Sequence, residues 1–207
     1  MRRRFLPGLL LAAWAAAQLV RPAWAAEAAP PPDVGGIRYE AAETLAGTRL
    51  QLNGAGVRYK AIFKVYTAGL YLSRPATTPE AVYAMPGPRR LHIVMLRDID
   101  ANELGKLFTQ GMEKNATREE WARSITGTLR LAELFSRMKH LASGDAFTLD
   151  YVPGQGTVVV VNGKAEIEPI REPEFFNALL AIWLGKSPAD DRLKAALLNV
   201  PMTATGR

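Results

Sequence analysis

Residues 52–72 read Leu52-Asn53-Gly54-Ala55-Gly56-Val57-Arg58-Tyr59-Lys60-Ala61-Ile62-Phe63-Lys64-Val65-Tyr66-Thr67-Ala68-Gly69-Leu70-Tyr71-Leu72. Asn53 to Gly56 is a turn cluster, because asparagine and glycine accept the backbone angles that turns require. Val57 to Phe63 then alternates, with Val57, Tyr59, Ala61 and Phe63 on one face and Arg58, Lys60 and Ile62 on the other. Val65 to Leu72 is a second strand. Its period of two sets Tyr66 and Thr67 on opposite faces, so only one of them can share a given cavity.

The neighbouring segments extend this pattern. Arg49 to Leu52 alternates upstream. Thr78 and Pro79 are the N-cap and first residue of a short helix. Arg90 to Leu96 is strand-like, with Leu91, Ile93 and Met95 on one side. Asp100 with Glu103, and Thr117 with Glu120, are capping-box pairs opening helices to about Ala116 and His140. Phe147 to Val152 returns to alternation, and Pro153 to Gly156 turns the chain. Thr157 to Val161 is a continuous apolar run, expected to be buried on both faces or covered by helices. Asn162-Gly163 is a hairpin turn into a strand near Ala165–Glu168. Pro173 opens a helix that ends at Gly185, and Ser187-Pro188 opens a last one to about Asn199. Strands, then helices, then strands read as α+β with an antiparallel sheet in one domain, 37–200.

The chain has 207 residues, 22% charged and 48% hydrophobic, which predicts a folded domain with additional ends. Residues 1–25 read as a secretory signal. Arg2, Arg3 and Arg4 form a basic start, Leu9 to Val20 is an apolar run too short to span a bilayer, and Ala23-Trp24-Ala25 fits cleavage after Ala25. Either the general or the twin-arginine export route fits. Cleavage removes four arginines and no acid, so Lys+Arg falls from 26 to 22 against 20 Asp+Glu and the net charge from +6 to +2. Nucleic-acid binding thereby loses its support. Residues 26–36 read as a disordered Ala/Pro linker and 201–207 as a flexible tail. The absence of cysteine excludes a disulfide scaffold, a thiolate metal site and a lipoprotein anchor. An exported chain without cysteine points to the bacterial periplasm, with no stable membrane anchor after cleavage. The two histidines lack metal-ligand spacing, so no metal is expected.

Two polar residues are candidates for chemistry. Leu104, Leu107, Phe108, Gly111, Met112 and Asn115 fall on one helix face. The Asn115 amide is therefore either a polar group in an apolar pocket or a helix-end cap. Arg58 is either a cationic anchor facing the interior or an exposed strand residue. Leu131, Leu134, Phe135, Met138, Leu141 and Trp183 read as core. No phosphate loop, dinucleotide fingerprint or hydrolase nucleophile motif occurs.

Leu52 to Arg58 with Phe63 to Leu72, the helix end Gly111-Met112-Glu113-Lys114-Asn115, and the tail Phe175 to Pro188 with Leu193 to Leu198 resemble the chalcone isomerase family, specifically its bacterial signal-peptide-bearing branch. The resemblance covers about residues 38–200. It implies an open-faced β-sandwich, a large antiparallel sheet with helices packed on one face, and no cofactor. The family holds isomerases that close a chalcone to a flavanone, fatty-acid-binding proteins and members without known activity. Arg58 matches the arginine that stabilises the developing enolate, and Asn115 matches a helix asparagine. A strand threonine falls on Tyr66 with Thr67 adjacent, a helix tyrosine falls on Phe108, and a late-strand hydroxyl falls near Ala165. The implied function is binding of a small apolar ligand, a fatty acid or polyphenol-like molecule, without efficient catalysis. Arg58 would pair its head group, Asn115 and Tyr66 or Thr67 would assist, and Phe108 and Met112 would line its tail. Any catalysis would rest on Arg58 and Asn115. The alternatives are an isomerase-type intramolecular lyase and an interaction protein whose cleft side chains close.

Overall fold

The computed structural model describes residues 32–201. The expected signal segment, residues 26–31 of the expected linker and residues 202–207 of the expected tail lie outside them. Ordered backbone begins inside the stretch expected to be linker. Asp33–Val34 (β1) pairs with Ile37–Arg38 (β2). Gly35 and Gly36 make the turn at φ 65° and 92°, left-handed angles that glycine adopts without a Cβ penalty.

Ala42–Leu45 (β3), Thr48–Lys60 (β4) and Phe63–Leu72 (β5) form successive hairpins. A short helix, Pro79–Tyr83 (α1), is capped by the Thr78 side chain as expected. Arg89–Met95 (β6) and the two-residue Ile99–Asp100 (β7) precede Ala101–Asn115 (α2) and Arg118–Met138 (α3). Asp100 accepts from the Glu103 amide. Thr117 and Glu120 complete a reciprocal capping box. His140–Leu141 (β8) pairs with β7. Ala146–Val152 (β9), Gly156–Val161 (β10) and Lys164–Ala165 (β11) follow, then Phe175–Leu184 (α4) and Asp191–Leu197 (α5). Seven strands form one sheet in the order β11-β10-β9-β6-β5-β4-β3, antiparallel throughout. The fold is α+β, a large curled antiparallel sheet with helices on one side.

The main core lies between the sheet and the helices. Tyr66, Ala68, Leu70, Leu91, Ile93, Phe147, Leu149 and Val159 meet Phe108, Leu131, Phe135, Leu180 and Trp183. On the other sheet face Tyr39, Leu50 and Tyr71 form a smaller core. There the Tyr39 ring lies over Gly69, where an added Cβ would come within 2.6 Å of it.

Five sequence expectations change, the first being the strand expected near Ala165–Glu168, which is the two-residue Lys164–Ala165 at the sheet edge. Asn53 to Gly56 is not a turn but the interior of β4. An extra residue there, Asn53, bulges between the Leu52–Tyr71 and Gly54–Leu70 pairs. The glycines serve close packing: an added Cβ at Gly54 would overlap the Ala196 carbonyl oxygen of α5, and one at Gly56 would lie 2.7 Å from the Ala196 side chain. The alternation expected through Phe63 ends at Lys60, where Ala61-Ile62 turns with Ala61 at φ 56°. β10 is buried on one face only, because no helix covers its outer side chains. The last helix starts at Asp191, capped by Asp190 rather than by Ser187.

Candidate functional site

A cleft of about 270 Å³ opens between the β4–β5 hairpin, α2, the end of α4 and residues 187–189. Its polar end carries Arg58 and Tyr66. Its walls are Val65, Leu104, Leu107, Phe108 and Ile182, with Lys114 and Gln110 at the rim of α2. A second β-bulge builds it. Arg58 pairs with Tyr66 and Tyr59 with Lys64, so Val65 is the extra residue on β5. Directly paired residues share a face. Arg58 therefore stands over Tyr66, its guanidinium carbon 5.6 Å from the ring centre, and both Val65 and Tyr66 reach the cleft. Arg58 is half-buried and lines the cleft. Among the described residues, no hydrogen bond or ion pair engages its guanidinium.

Tyr66 is 2% exposed. Its hydroxyl accepts a 2.8 Å hydrogen bond from the indole of Trp183, which in turn packs edge-on against Phe108. Its own proton has no acceptor among the described residues. Burial pushes the phenol up to about 12, although Arg58 and the indole favour the phenolate. At neutral pH the cleft thus presents the Arg58 cation beside the neutral Tyr66 hydroxyl, both without acceptors, with the Lys114 ammonium and the Gln110 amide at its rim. No carboxylate or imidazole lines it. Its chemistry is donation to an anion or carbonyl oxygen, without a general base of its own.

Three expected residues lie elsewhere. Thr67 points to the opposite sheet face, where it receives the Tyr39 hydroxyl at 2.8 Å. Met112 is fully buried, its sulfur 3.6 Å from the Thr128 hydroxyl, below the cleft rather than along it. Asn115 takes the capping alternative. Its nitrogen donates to the Gly111 and Ser187 carbonyls and its oxygen accepts from the Ser187 amide. With these bonds made inside the protein, the amide holds the 185–188 segment and does not line the Arg58 cleft. Ala165 is exposed in β11 at the sheet edge. The cleft is not closed by its side chains, since about 270 Å³ remains beside Arg58.

Residues that the sequence reading left out include Val65, Lys114, Ile182 and the 187–189 segment. Leu107, Gly111 and Lys114 follow at helical spacing, so the stripe on α2 could have been extended to Lys114. Trp183 reads as core and is core, but its indole N–H also positions the Tyr66 hydroxyl. Among the described residues, no group of three or more His, Asp or Glu is arranged to hold a metal ion.

The fold is of the α+β class, with a large curled antiparallel sheet, helices on one side and a cleft between them. The chain belongs to the chalcone isomerase-like family, whose model matches residues 31–199. A solved fatty-acid-binding protein of Arabidopsis thaliana shares the fold at 14% sequence identity, with a TM-score of 0.61 over 79% of this chain and 92% of that one. Comparison with curated proteins gave no match.

Proposed function

We propose that this chain is exported to the periplasm, cleaved after Ala25, and binds a small apolar ligand bearing a carboxylate or carbonyl head, with a fatty acid as the leading candidate. The observation that carries this reading is the pair of unsatisfied donors, Arg58 and Tyr66, in a cleft walled by Val65, Leu104, Leu107, Phe108 and Ile182. A partly desolvated guanidinium gains most from a charged acceptor, and a carboxylate supplies two oxygens. The space of 270 Å³ lies near the lower end of ligand sites, about 300–1,000 Å³. A short chain fits inside, and a longer one leaves its tail in the open mouth. The fold shared with a protein whose name states fatty-acid binding is consistent with this reading.

The test is mass spectrometry of an organic extract of purified protein, beside the Arg58→Ala variant. A stoichiometric fatty acid in wild type, absent from the variant, is expected. A fatty acid retained equally by both would contradict the reading. A second reading, cyclisation of a chalcone, draws on the same two donors, which would also stabilise an enolate oxygen. Phe108 in place of a hydroxyl-bearing residue argues for weak catalysis. A rate of naringenin chalcone cyclisation no faster than in buffer would dispose of it for that substrate.

A further inference from the structure

We propose that the β4–β5 hairpin tip is a docking point for an anionic lipid surface. The tip is a two-residue turn, Ala61-Ile62, between Lys60 and Phe63. Such turns favour Asn-Gly or Asp-Gly, because left-handed backbone angles suit those residues. Here Ala61 takes φ 56° and Ile62 projects 83% exposed, so the turn sacrifices local preference and Ile62 gains no core packing. Phe63 beside it is 57% exposed. Cations surround this apolar pair. Lys60 and Lys64 flank it in sequence, and the Arg97 guanidinium stands 5.4 Å from the Phe63 ring centre. Of the nearby acids, Glu103 is paired with Lys60 at 3.1 Å, and Asp98 faces His140 at 3.8 Å. Lys64 and Arg97 have no ion pair among the described residues.

Two apolar side chains ringed by cations suit a membrane interface, where the side chains enter the headgroup region and each cation multiplies affinity several-fold, about fivefold, on an anionic surface. They do not suit a protein partner, which needs roughly 1,000 Å² or more of complementary surface. A second copy would set cations against cations. The tip also adjoins the cleft. Arg58 and Val65 lie two residues inside it on either strand, and Ile99, two residues after Arg97, lines the cleft. A docked tip therefore places the cleft mouth at the lipid surface.

Residues 26–207 contain every described element and both cores, and leave out the apolar Leu9–Val20 run, which would itself seek vesicles. This chain, delipidated so that the outcome is independent of any cleft ligand, is sedimented with phosphatidylcholine vesicles and with vesicles containing about 30% phosphatidylglycerol. At about 0.05 M salt, at least about tenfold tighter binding to the anionic vesicles is expected, weakening at about 0.5 M. Ile62→Ser/Phe63→Ser should lose at least about fivefold in affinity, and Lys64→Gln/Arg97→Gln most of the salt-sensitive part. A Phe63→Trp variant should show blue-shifted added emission on anionic vesicles only. Equal or absent wild-type binding on the two vesicle types, or undiminished binding by Ile62→Ser/Phe63→Ser, would overturn the proposal. So would a sedimentation-velocity dimer that the same substitutions disperse.

Discussion

Arg58 and Tyr66 are a cross-strand pair only because β5 carries one extra residue. Counted back from the Lys60–Phe63 turn, an unbulged hairpin would set Arg58 against Val65, with Tyr66 opposite Val57. A bulge has no reliable signature in Phe63-Lys64-Val65-Tyr66, so the candidate residues were legible but their partnership was not. Tyr66→Phe removes a donor and leaves the Trp183 indole unpaired in a buried site. A loss of about 1–3 kcal/mol in stability is expected by denaturant unfolding, with weaker ligand binding by titration. A second cluster on the outer sheet face sets the acid limit. Burial would raise the Glu43 carboxyl, but hydrogen bonds to His92 and Arg90 hold it down at about 2. Arg90 also forks onto the buried Asp150. A carboxyl whose pKa is lowered by folding contributes stability that is complete above its unfolded value, near 4.5, and is lost as pH falls toward 2. Chemical unfolding between pH 6 and 3 should show this loss, and Glu43→Gln should flatten it.

Most elements were legible because their punctuation is local. The caps at Thr78, Asp100 and Thr117 and the Asn162-Gly163 hairpin act within four residues of themselves, and each lies where the sequence puts it. The glycines of β4 misled for the opposite reason. Gly54 and Gly56 look like a turn but exist for α5, about 140 residues later, which no local pattern announces. Asn53 is part of the same junction. Its amide donates to the Ala76 and Leu197 carbonyls and accepts from the Ala76 amide, tying α5 and the loop after β5 to the bulge. Gly54→Ala should force α5 outward and destabilise by roughly 1–3 kcal/mol, read as a lower denaturant midpoint. Asn115 misled in the same way, since its partner Ser187 is 72 residues distant. Asn115→Ala should lose about 1–3 kcal/mol of stability while ligand affinity falls far less than in Arg58→Ala, a contrast that separates a structural amide from a binding one.

For the whole molecule, the strand–helix–strand order implied α+β with one antiparallel sheet, the family resemblance implied helices on a single side, and this arrangement decides where a cleft can be. The helices bury the inner face of β5, β6 and β9. Where α2 and the end of α4 part over the β4–β5 hairpin, space remains beside Arg58 and Tyr66. Twin requirements of the proposed function meet there: an apolar wall from the core side chains and a cation brought in by the hairpin. The central claim is that this cation selects an acidic head. Calorimetric titration of delipidated wild-type and Arg58→Ala proteins, each with dodecanoate and with dodecanol, tests it most directly. The account predicts dodecanoate bound at least about tenfold more tightly than dodecanol, with that preference lost in Arg58→Ala. Equal affinity for acid and alcohol, or an unchanged preference without the Arg58 guanidinium, would contradict it.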